Sequence, residues 1–473
     1  MPVLHSKLAL GRLVMKKSNL KYWRCLMLMT VLVSISLSGC YGLTTKSERQ
    51  ARTDFEALSK QYRPDGNKAA LPVLDSNSTL ATLITYAMLN QPRVEAAYYE
   101  YAASVEKITL ERSLADPRFT FQMDITNVIN TVMPGLMIDI PWPTKLSTKA
   151  DIASAESQAR YYDFESAVLQ TAFDVKSPYY QLHFLEERIR INRKMLAQMN
   201  EVEEIARALN ESGKVTLQDV LRAQIEQERL KTEIANLEDS RNPLLAKLKT
   251  ALGMSIEQPN PPIPAKFDST PLDVNSDQLL SIAMAHNPRI KSMEAEVHAA
   301  EEGIHLARLS RFPDFTVGLE GDVKASPIMV RPKLEVTLPV WLDKIAAEIA
   351  ASQARKLSAS ARLSEEQIQL AVAFADRAYL YREARRNLQL LNGNLTAKAQ
   401  MSLEVARAAY SAGQIDFINL LDAERTLLLF QLAEVGARTQ CELTLAELSL
   451  IIGIQPEGAP VTGVNNPKPS TKE

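Results

Sequence analysis

Two stretches of the chain, two hundred residues apart, decide how the rest of the sequence is interpreted. They are Gly213-Lys214-Val215-Thr216-Leu217-Gln218-Asp219-Val220-Leu221-Arg222-Ala223 and Gly413-Gln414-Ile415-Asp416-Phe417-Ile418-Asn419-Leu420-Leu421-Asp422-Ala423. In both stretches a glycine stands between two long segments that are rich in helix-forming residues. Glycine suits the left-handed backbone with which many helices end. Each stretch therefore predicts a sharp reversal between two helices.

Other landmarks recur in the same order, which indicates a duplication of the whole unit. The recurring segments, first copy before second, are Asn90-Gln91-Pro92-Arg93 and His286-Asn287-Pro288-Arg289, Asp116-Pro117-Arg118-Phe119 and Phe312-Pro313-Asp314-Phe315, Pro141-Trp142 and Pro339-Val340-Trp341, and Leu252-Gly253 and Ile452-Gly453. We predict a first copy over residues 79–253 and a second copy over residues 276–453. The proline-rich segment 254–275 is expected to link them, and residues 454–473 are expected to form a flexible tail.

Each copy has the same predicted order of elements: a helix, two strands and two further helices. Alternating residues over 119–125 indicate a strand, whereas apolar residues three and four apart indicate coiled-coil helices. The predicted elements are helix 79–115, strands near 118–140 and helices 145–211 and 216–252, and then helix 276–311, strands near 314–338 and helices 342–411 and 416–452. The fold class is therefore mainly α with a small β part. Two shorter helices in line match one long helix, which gives antiparallel rods roughly 100 Å long at 1.5 Å per residue.

The first forty residues have the pattern of a lipoprotein signal peptide. A basic stretch from Lys7 to Arg24 precedes the apolar run Cys25–Val33, and Leu37-Ser38-Gly39-Cys40 follows. This order is typical of exported proteins, and the last four residues resemble the lipobox of bacterial lipoproteins. We expect a signal peptide over 1–39, lipidation of Cys40, a lipidated N-terminal linker over 40–78 and location in the outer membrane. The alternative is an ordinary signal peptide with an incidental cysteine.

Composition and motifs argue against several classes of function. The formal net charge is −2, so no basic field favours nucleic acid. The mature histidines, His183, His286, His298 and His305, lack paired acids, and no metalloprotease, P-loop or nucleophile-elbow motif occurs. We therefore expect no enzyme, no cofactor and no metal site. Four methionines lie near the strands, which fits a copper-export channel, but methionine there is more often apolar filler; they are Met123, Met133, Met137 and Met329.

The strand regions and the first long helix each have an irregular feature. The strand regions are short, since only 23 residues separate Pro117 from Pro141, and we expect Met133-Pro134-Gly135 and Ser326-Pro327 in or near the turns. Pro178 falls inside the first long helix, where proline disfavours a straight helix. A bend is expected there, and none at the matching Ala378 of the second copy.

The duplicated helix–strand–strand–helix–helix unit behind a lipobox resembles the TolC-like outer-membrane factor family over nearly all of the mature chain. The resemblance implies a homotrimer in which four strands per chain close a 12-stranded β-barrel and the helices form a long antiparallel coiled-coil α-barrel. It also implies a periplasmic adaptor (a membrane fusion protein), an inner-membrane pump and outer-membrane lipid as partners. Physics favours assembly too, because four strands have open edges that lipid does not tolerate.

The resemblance also assigns roles to particular residues. The turns are expected to contact the adaptor through Gly213, Lys214, Val215, Gly413, Gln414 and Ile415. The channel gate is expected at Tyr410, Asn419 and Asp422. Asn419 stands at one of two acidic positions of the family and Ile415 replaces a gate arginine, so any ring of carboxylates is weaker here. The simpler interpretation is that the glycines only end helices and that Asp422 lies on a solvated helix face.

Three functions fit these observations. The first is the outer-membrane channel of a tripartite efflux system, a passive conduit from the periplasm to the exterior. The second is the outlet of a type I protein-secretion system, which is the same channel with a different cargo. The third is a non-pore periplasmic coiled-coil lipoprotein with a stunted barrel, which the short strands favour.

Overall fold

The computed structural model describes residues 44–75, 78–125, 129–262 and 276–454. The predicted signal peptide, Cys40, most of the proline-rich linker and the predicted tail lie outside these residues. Within them, the helices and strands in chain order are α1 (Lys46–Tyr62), α2 (Leu80–Asn90), α3 (Pro92–Arg112), β1 (Arg118–Ile125), β2 (Ile129–Ile140), α4 (Pro143–Glu211), α5 (Leu217–Asp239), α6 (Arg241–Ala251), α7 (Ser276–His286), α8 (Pro288–Leu309), β3 (Asp314–Asp322), β4 (Met329–Thr337), α9 (Leu342–Leu390), α10 (Thr396–Ser411) and α11 (Phe417–Ile452).

The predicted rods are present. Helix α4 has 69 residues, which is about 100 Å at 1.5 Å per residue. It packs against α3 on one half of its length and against α5 and α6 on the other. Helix α11, with 36 residues, packs against α9 and α10 in the second copy and also against α4. The contact between α4 and α11 joins the two copies side by side.

Two helices that were predicted as continuous are each broken at one residue. Helices α2 and α3 meet at Gln91, and α7 and α8 meet at Asn287, with ψ values of 120° and 122°. Both residues precede a proline, whose ring disfavours the helical conformation of the residue before it. A side-chain hydrogen bond also stabilises each break. The Gln91 side-chain amide donates to the Thr250 carbonyl oxygen over 3.0 Å, and the Asn287 side-chain amide donates to that of Ile451 over 2.8 Å.

The last helix of each copy ends beside this break. Gly253 and Gly453 have φ values of +69° and +79°, the left-handed conformation that ends a helix without strain only for glycine. A Cβ atom on Gly253 would lie 2.8 Å from the Asn90 carbonyl oxygen, and one on Gly453 would lie 2.9 Å from that of His286. The recurring Leu-Gly and Asn-Pro landmarks of the sequence thus meet in one joint in each copy.

The strands form one antiparallel sheet in the order β1-β2-β3-β4. Residues Met133-Pro134-Gly135, which we expected in or near a turn, lie inside β2 instead. Pro134 faces Phe121 of β1, and the pairs between β2 and β3 begin only at Gly135. A proline is tolerated there because the ladder does not require its missing N–H. Ser326-Pro327 does lie between β3 and β4, as predicted.

The segment that we predicted as a linker contains helix α1. The Thr45 side chain caps it by accepting a hydrogen bond from the Glu48 N–H. Glu48 is fully buried and accepts hydrogen bonds from Arg52 and Arg112, at 3.2 and 3.1 Å. At its other end Tyr62 is buried in the main hydrophobic core. The sequence did not predict this helix because its composition is polar and only a few of its residues pack against the rest of the chain.

The long helices of the two copies differ in continuity. Helix α4 continues through Pro178, and the bend expected there stays a prediction. The second long helix is helical at Ala378. It is interrupted further along by a π-helical turn, Leu391–Leu395, between α9 and α10. A π turn inserts one residue into a helix and needs no proline. No helix among the described residues combines the length and apolar character needed to cross a membrane.

The glycine joints give a direct stability test. Gly253→Ala and Gly453→Ala should each lower the free energy of unfolding by about 1–3 kcal/mol, because alanine is strained at positive φ. Gly303→Ala is the control: Gly303 lies in α8 with no atom within 4 Å of a new Cβ, so this variant should be unchanged or slightly more stable. Thermal unfolding followed by circular dichroism measures all three. Equal melting temperatures for the joint and control variants would contradict the account.

Candidate functional site: a two-faced sheet and two helical tips

The register of the sheet separates its side chains into two chemically distinct faces. Phe119 pairs with Leu136, and Leu136 pairs with Leu319, so these residues share one face. Large apolar side chains on this face are exposed to solvent in the single chain. They are Phe119, Phe121, Met123, Ile125, Leu136, Ile140, Val317, Leu319, Val330, Leu334 and Val336. An exposed apolar surface of this extent marks contact with lipid or with another chain.

The opposite face of the sheet is polar and contains ion pairs. Arg118 lies 2.7 Å from Asp139, and Lys333 lies 2.5 Å from Glu320. Of the methionines noted in the sequence, Met133, Met137 and Met329 lie on this face and Met123 on the apolar face. No group of three histidine, cysteine, aspartate or glutamate side chains in the described part of the chain could hold a metal ion.

At the far end of the rods, the two glycine turns have the same geometry. Gly213 and Gly413 have φ values of +71° and +72°. The N–H of Lys214 donates to the Leu209 carbonyl over 2.9 Å, and the N–H of Gln414 donates to that of Ala409 over the same distance. These are the hydrogen bonds of a Schellman motif. A Cβ atom on either glycine would meet nothing within 4 Å, so the requirement for glycine is conformational rather than steric.

Equivalent residues of the two predicted tips have the same solvent exposure. Gly213, Lys214, Gly413 and Gln414 are exposed. Val215 and Ile415 are half-buried and pack on a hydrophobic cluster, hereafter the tip core, which both hairpins share. The tip core includes Met199, Val202, Leu230, Leu403, Tyr410, Phe417, Leu420 and Leu427. The two turns therefore form one rigid end that presents backbone and polar groups.

The structure separates the three predicted gate residues. Tyr410 is only 1% exposed and packs edge-on against Phe417, with ring centroids 5.7 Å apart. Burial raises the pKa of the Tyr410 phenol to about 12, with a smaller contribution from the Asp219 carboxylate. Asn419 and Asp422 are exposed on α11. Tyr410 is thus part of the tip core in the single chain, whereas the side chains of Asn419 and Asp422 are exposed.

Ion pairs that sequence reasoning missed stabilise the helical tips. Arg425 on α11 lies 2.8 Å from Glu226 on α5 and joins the two hairpins. Arg407 on α10 lies 2.6 Å from Glu424 on α11, within the second hairpin. The pKa of Arg425 is raised, first by the hydrogen bond to Glu226 and further by nearby carboxylates that include Asp422. Glu226 and Glu424 are both buried. Burial raises the pKa of the Glu424 carboxyl, and the hydrogen bond from Arg407 opposes that rise. Residue spacing within one helix could not reveal contacts between helices two hundred residues apart.

The family model of the outer membrane efflux protein matches residues 83–254 and 279–454. These two ranges coincide with the two copies and cover most of the chain. The chain belongs to the outer membrane efflux protein family. The family and the fold are those of channel proteins.

Curated relatives and solved structures agree with this assignment. The outer membrane efflux protein BepC of Brucella suis is 24% identical over 394 residues, which cover 77% of this chain and 84% of BepC. The cobalt-zinc-cadmium resistance protein CzcC of Cupriavidus metallidurans is 21% identical over 248 residues, 51% of this chain and 58% of CzcC.

Two solved structures have the same fold. VceC of Vibrio cholerae aligns with a TM-score of 0.67 at 17% identity, over 79% of this chain and 96% of VceC. The outer membrane channel CmeC of Campylobacter jejuni aligns with a TM-score of 0.67 at 14% identity, over 84% of this chain and 91% of CmeC. For this outer membrane efflux protein, the predicted resemblance and fold class are therefore confirmed.

Proposed function

We propose that three copies of this chain form a passive conduit from the periplasm through the outer membrane, as the outer-membrane component of a tripartite efflux system. The observation that carries the proposal is the two-faced sheet. One face is continuously apolar and the other is polar, which is the alternation of a membrane strand with a lipid side and a water side. A channel that spans lipid in this way needs no catalytic group.

The open edges of the sheet support assembly into a ring. Strands β1 and β4 are the outer strands of the four, and each leaves one row of backbone groups without a partner in the chain. Such edges are not tolerated in hydrocarbon, and four strands are too few to close a barrel. Three copies would supply twelve strands and pair β4 of one chain with β1 of the next.

The observed strand lengths favour a pore over a stunted barrel. The strands contain 8, 12, 9 and 9 residues. At ~3.4 Å per residue and a tilt near 45°, nine residues rise roughly 22 Å, close to the ~25 Å apolar band of outer-membrane barrels. The lengths therefore argue against a periplasmic spacer, the alternative that short strands would favour.

The position of α1 supports lipidation of Cys40. The start of this helix is bonded to the membrane end of the rods, where the Ser47 hydroxyl lies 2.5 Å from Asp151, near the beginning of α4. Four residues separate Cys40 from Thr45, and the five Cα-to-Cα steps between them reach at most ~18 Å. A lipid on Cys40 could then enter the membrane beside the strands.

The exported substrate differs among relatives. CzcC is named for cobalt, zinc and cadmium resistance, and OpmQ of Pseudomonas aeruginosa is named for pyoverdine export. We propose that an inner-membrane pump selects the substrate and that a periplasmic adaptor connects that pump to the tips. The alternative function is the outlet of a type I protein-secretion system, because the same conduit would serve either kind of cargo.

We propose Asp422 as the acidic residue of the channel gate. Its side chain is exposed on α11 beside the Arg425–Glu226 pair. Three such carboxylates around one axis would attract cations and impede anions. Asp422→Asn should therefore raise single-channel conductance and reduce cation preference in planar bilayers, whereas Glu404→Gln, on the exposed side of α10, should change neither. A protein that never conducts would refute the pore, while identical traces for wild type and Asp422→Asn would refute only the gate.

The tip proposal is tested at Gly413. Gly413→Val should abolish export while leaving the trimer intact, because a β-branched residue resists positive φ and deforms the surface offered to the adaptor. Gly413→Asn is the matched control, since asparagine tolerates the left-handed conformation and no atom obstructs its side chain. Whole-cell accumulation of a fluorescent efflux substrate and native gels provide the two readouts. Normal export by the valine variant would argue against a role for this turn.

A further inference from the structure

A cavity of about 660 Å³ lies where the N-terminal helix meets both copies, far from the helical tips. Its walls come from α1, α3 and α4 on one side and from α7 and α8 on the other. The volume is in the range of ~300–1,000 Å³ that is typical of small-molecule sites. Neither the strands nor the glycine turns contribute to it, so the proposed conduit does not account for it.

Three carboxylates face the cavity without a cationic partner. Asp54 accepts a hydrogen bond from Gln50 at 2.8 Å, and Asp151 accepts the one from Ser47. No ion pair within 4 Å among the described residues includes Asp54, Asp151 or Glu165. Glu165 accepts a hydrogen bond from Tyr161, and burial raises the pKa of its carboxyl to about 7. Unpaired carboxylates in a partly enclosed space favour an external cation.

The other side chains of the cavity are consistent with a cationic ligand. Lys291 lines the wall, but its ammonium group lies 2.8 Å from Glu294 and is thereby neutralised. Tyr101 and Tyr161 pack with ring centroids 5.5 Å apart and offer aromatic faces, which attract organic cations. The wall, which also includes His286 and His298, thus combines separated carboxylates with an aromatic surface.

One buried polar group points independently to a missing ligand. Ser157 lines the cavity and is fully buried, and its hydroxyl has no hydrogen-bond partner. A buried hydroxyl without a partner costs about 1–3 kcal/mol, so native proteins rarely leave one unsatisfied. A ligand that carries N–H groups would satisfy this hydroxyl.

We propose that this cavity binds a linear organic polycation, a chain with two or more ammonium groups separated by methylenes. A metal ion is not favoured, because no group of three histidine, cysteine, aspartate or glutamate side chains among the described residues could hold one. Separate ammonium groups can instead pair with separate carboxylates on α1 and α4 while the methylenes cover the tyrosine rings. Because its walls belong to α1 and to both copies, the bound ligand ties the N-terminal helix to the duplicated body.

The test is calorimetric titration of the detergent-solubilised mature protein with spermidine as the probe. We expect saturable binding of one molecule per chain. Glu165→Gln should weaken it about tenfold or more, because it removes a charge-assisted hydrogen bond. Glutamine has the shape of the protonated acid, so the variant should fold. The matched control is Glu296→Gln, an exposed carboxylate of α8 outside the cavity, which should bind as wild type does.

A second arm separates a built site from general charge attraction. Spermidine should raise the melting temperature of wild type and of Glu296→Gln in a concentration-dependent way, and have much less effect on Glu165→Gln. Magnesium at equal charge concentration should not displace it. Absence of saturable binding, equal loss in both variants, or full displacement by magnesium would each overturn the proposal. None of these outcomes depends on whether the protein conducts ions.

Discussion

An open sheet edge in hydrocarbon is the constraint on which the rest of this structure depends. The four strands bury almost nothing on their apolar face within one chain, and their outer strands leave backbone groups without partners. Both costs disappear only if copies meet edge to edge and the apolar face meets lipid. The chain must therefore carry its strands as hairpins at the end of a body that repeats around an axis, and a duplicated rod provides such a body. The family assignment is consistent with this physical requirement.

Different contacts hold the middle and the far end of the rods. Midway along the rods, the joints at Gln91 and Asn287 satisfy the carbonyl groups at the ends of the last helices. At the far end, the tip core and the Arg425–Glu226 pair hold two hairpins from different copies as one unit. The copies are equal in topology but not in detail, because only the second long helix contains a π turn.

Much of the fold was predictable because the duplication repeats every signal. The glycine turns, the long helices and the strand alternation each rest on local chemistry and were confirmed. The failures occurred where tertiary contacts override local signals. The residues Met133-Pro134-Gly135 have the composition of a turn, yet they lie within β2. There the hydrogen-bond ladder of the sheet does not require an N–H from Pro134. Helix α1 is polar, and only Glu48 and Tyr62 reveal how it docks. The gate role expected for Tyr410 stays a prediction; its burial depends on Phe417 and on the other hairpin, which no single stretch of sequence discloses.

The most direct test of the central claim labels the two faces of β1 separately. Single cysteines replace Phe119, Thr120, Phe121 or Gln122 in a chain whose buried Cys441 is changed to serine, and the protein is reconstituted into lipid vesicles. A charged, membrane-impermeant maleimide should react rapidly at positions 120 and 122, which face water, and slowly at 119 and 121, which face lipid. Equal reactivity at all four positions would mean that this sheet does not line a channel through the membrane.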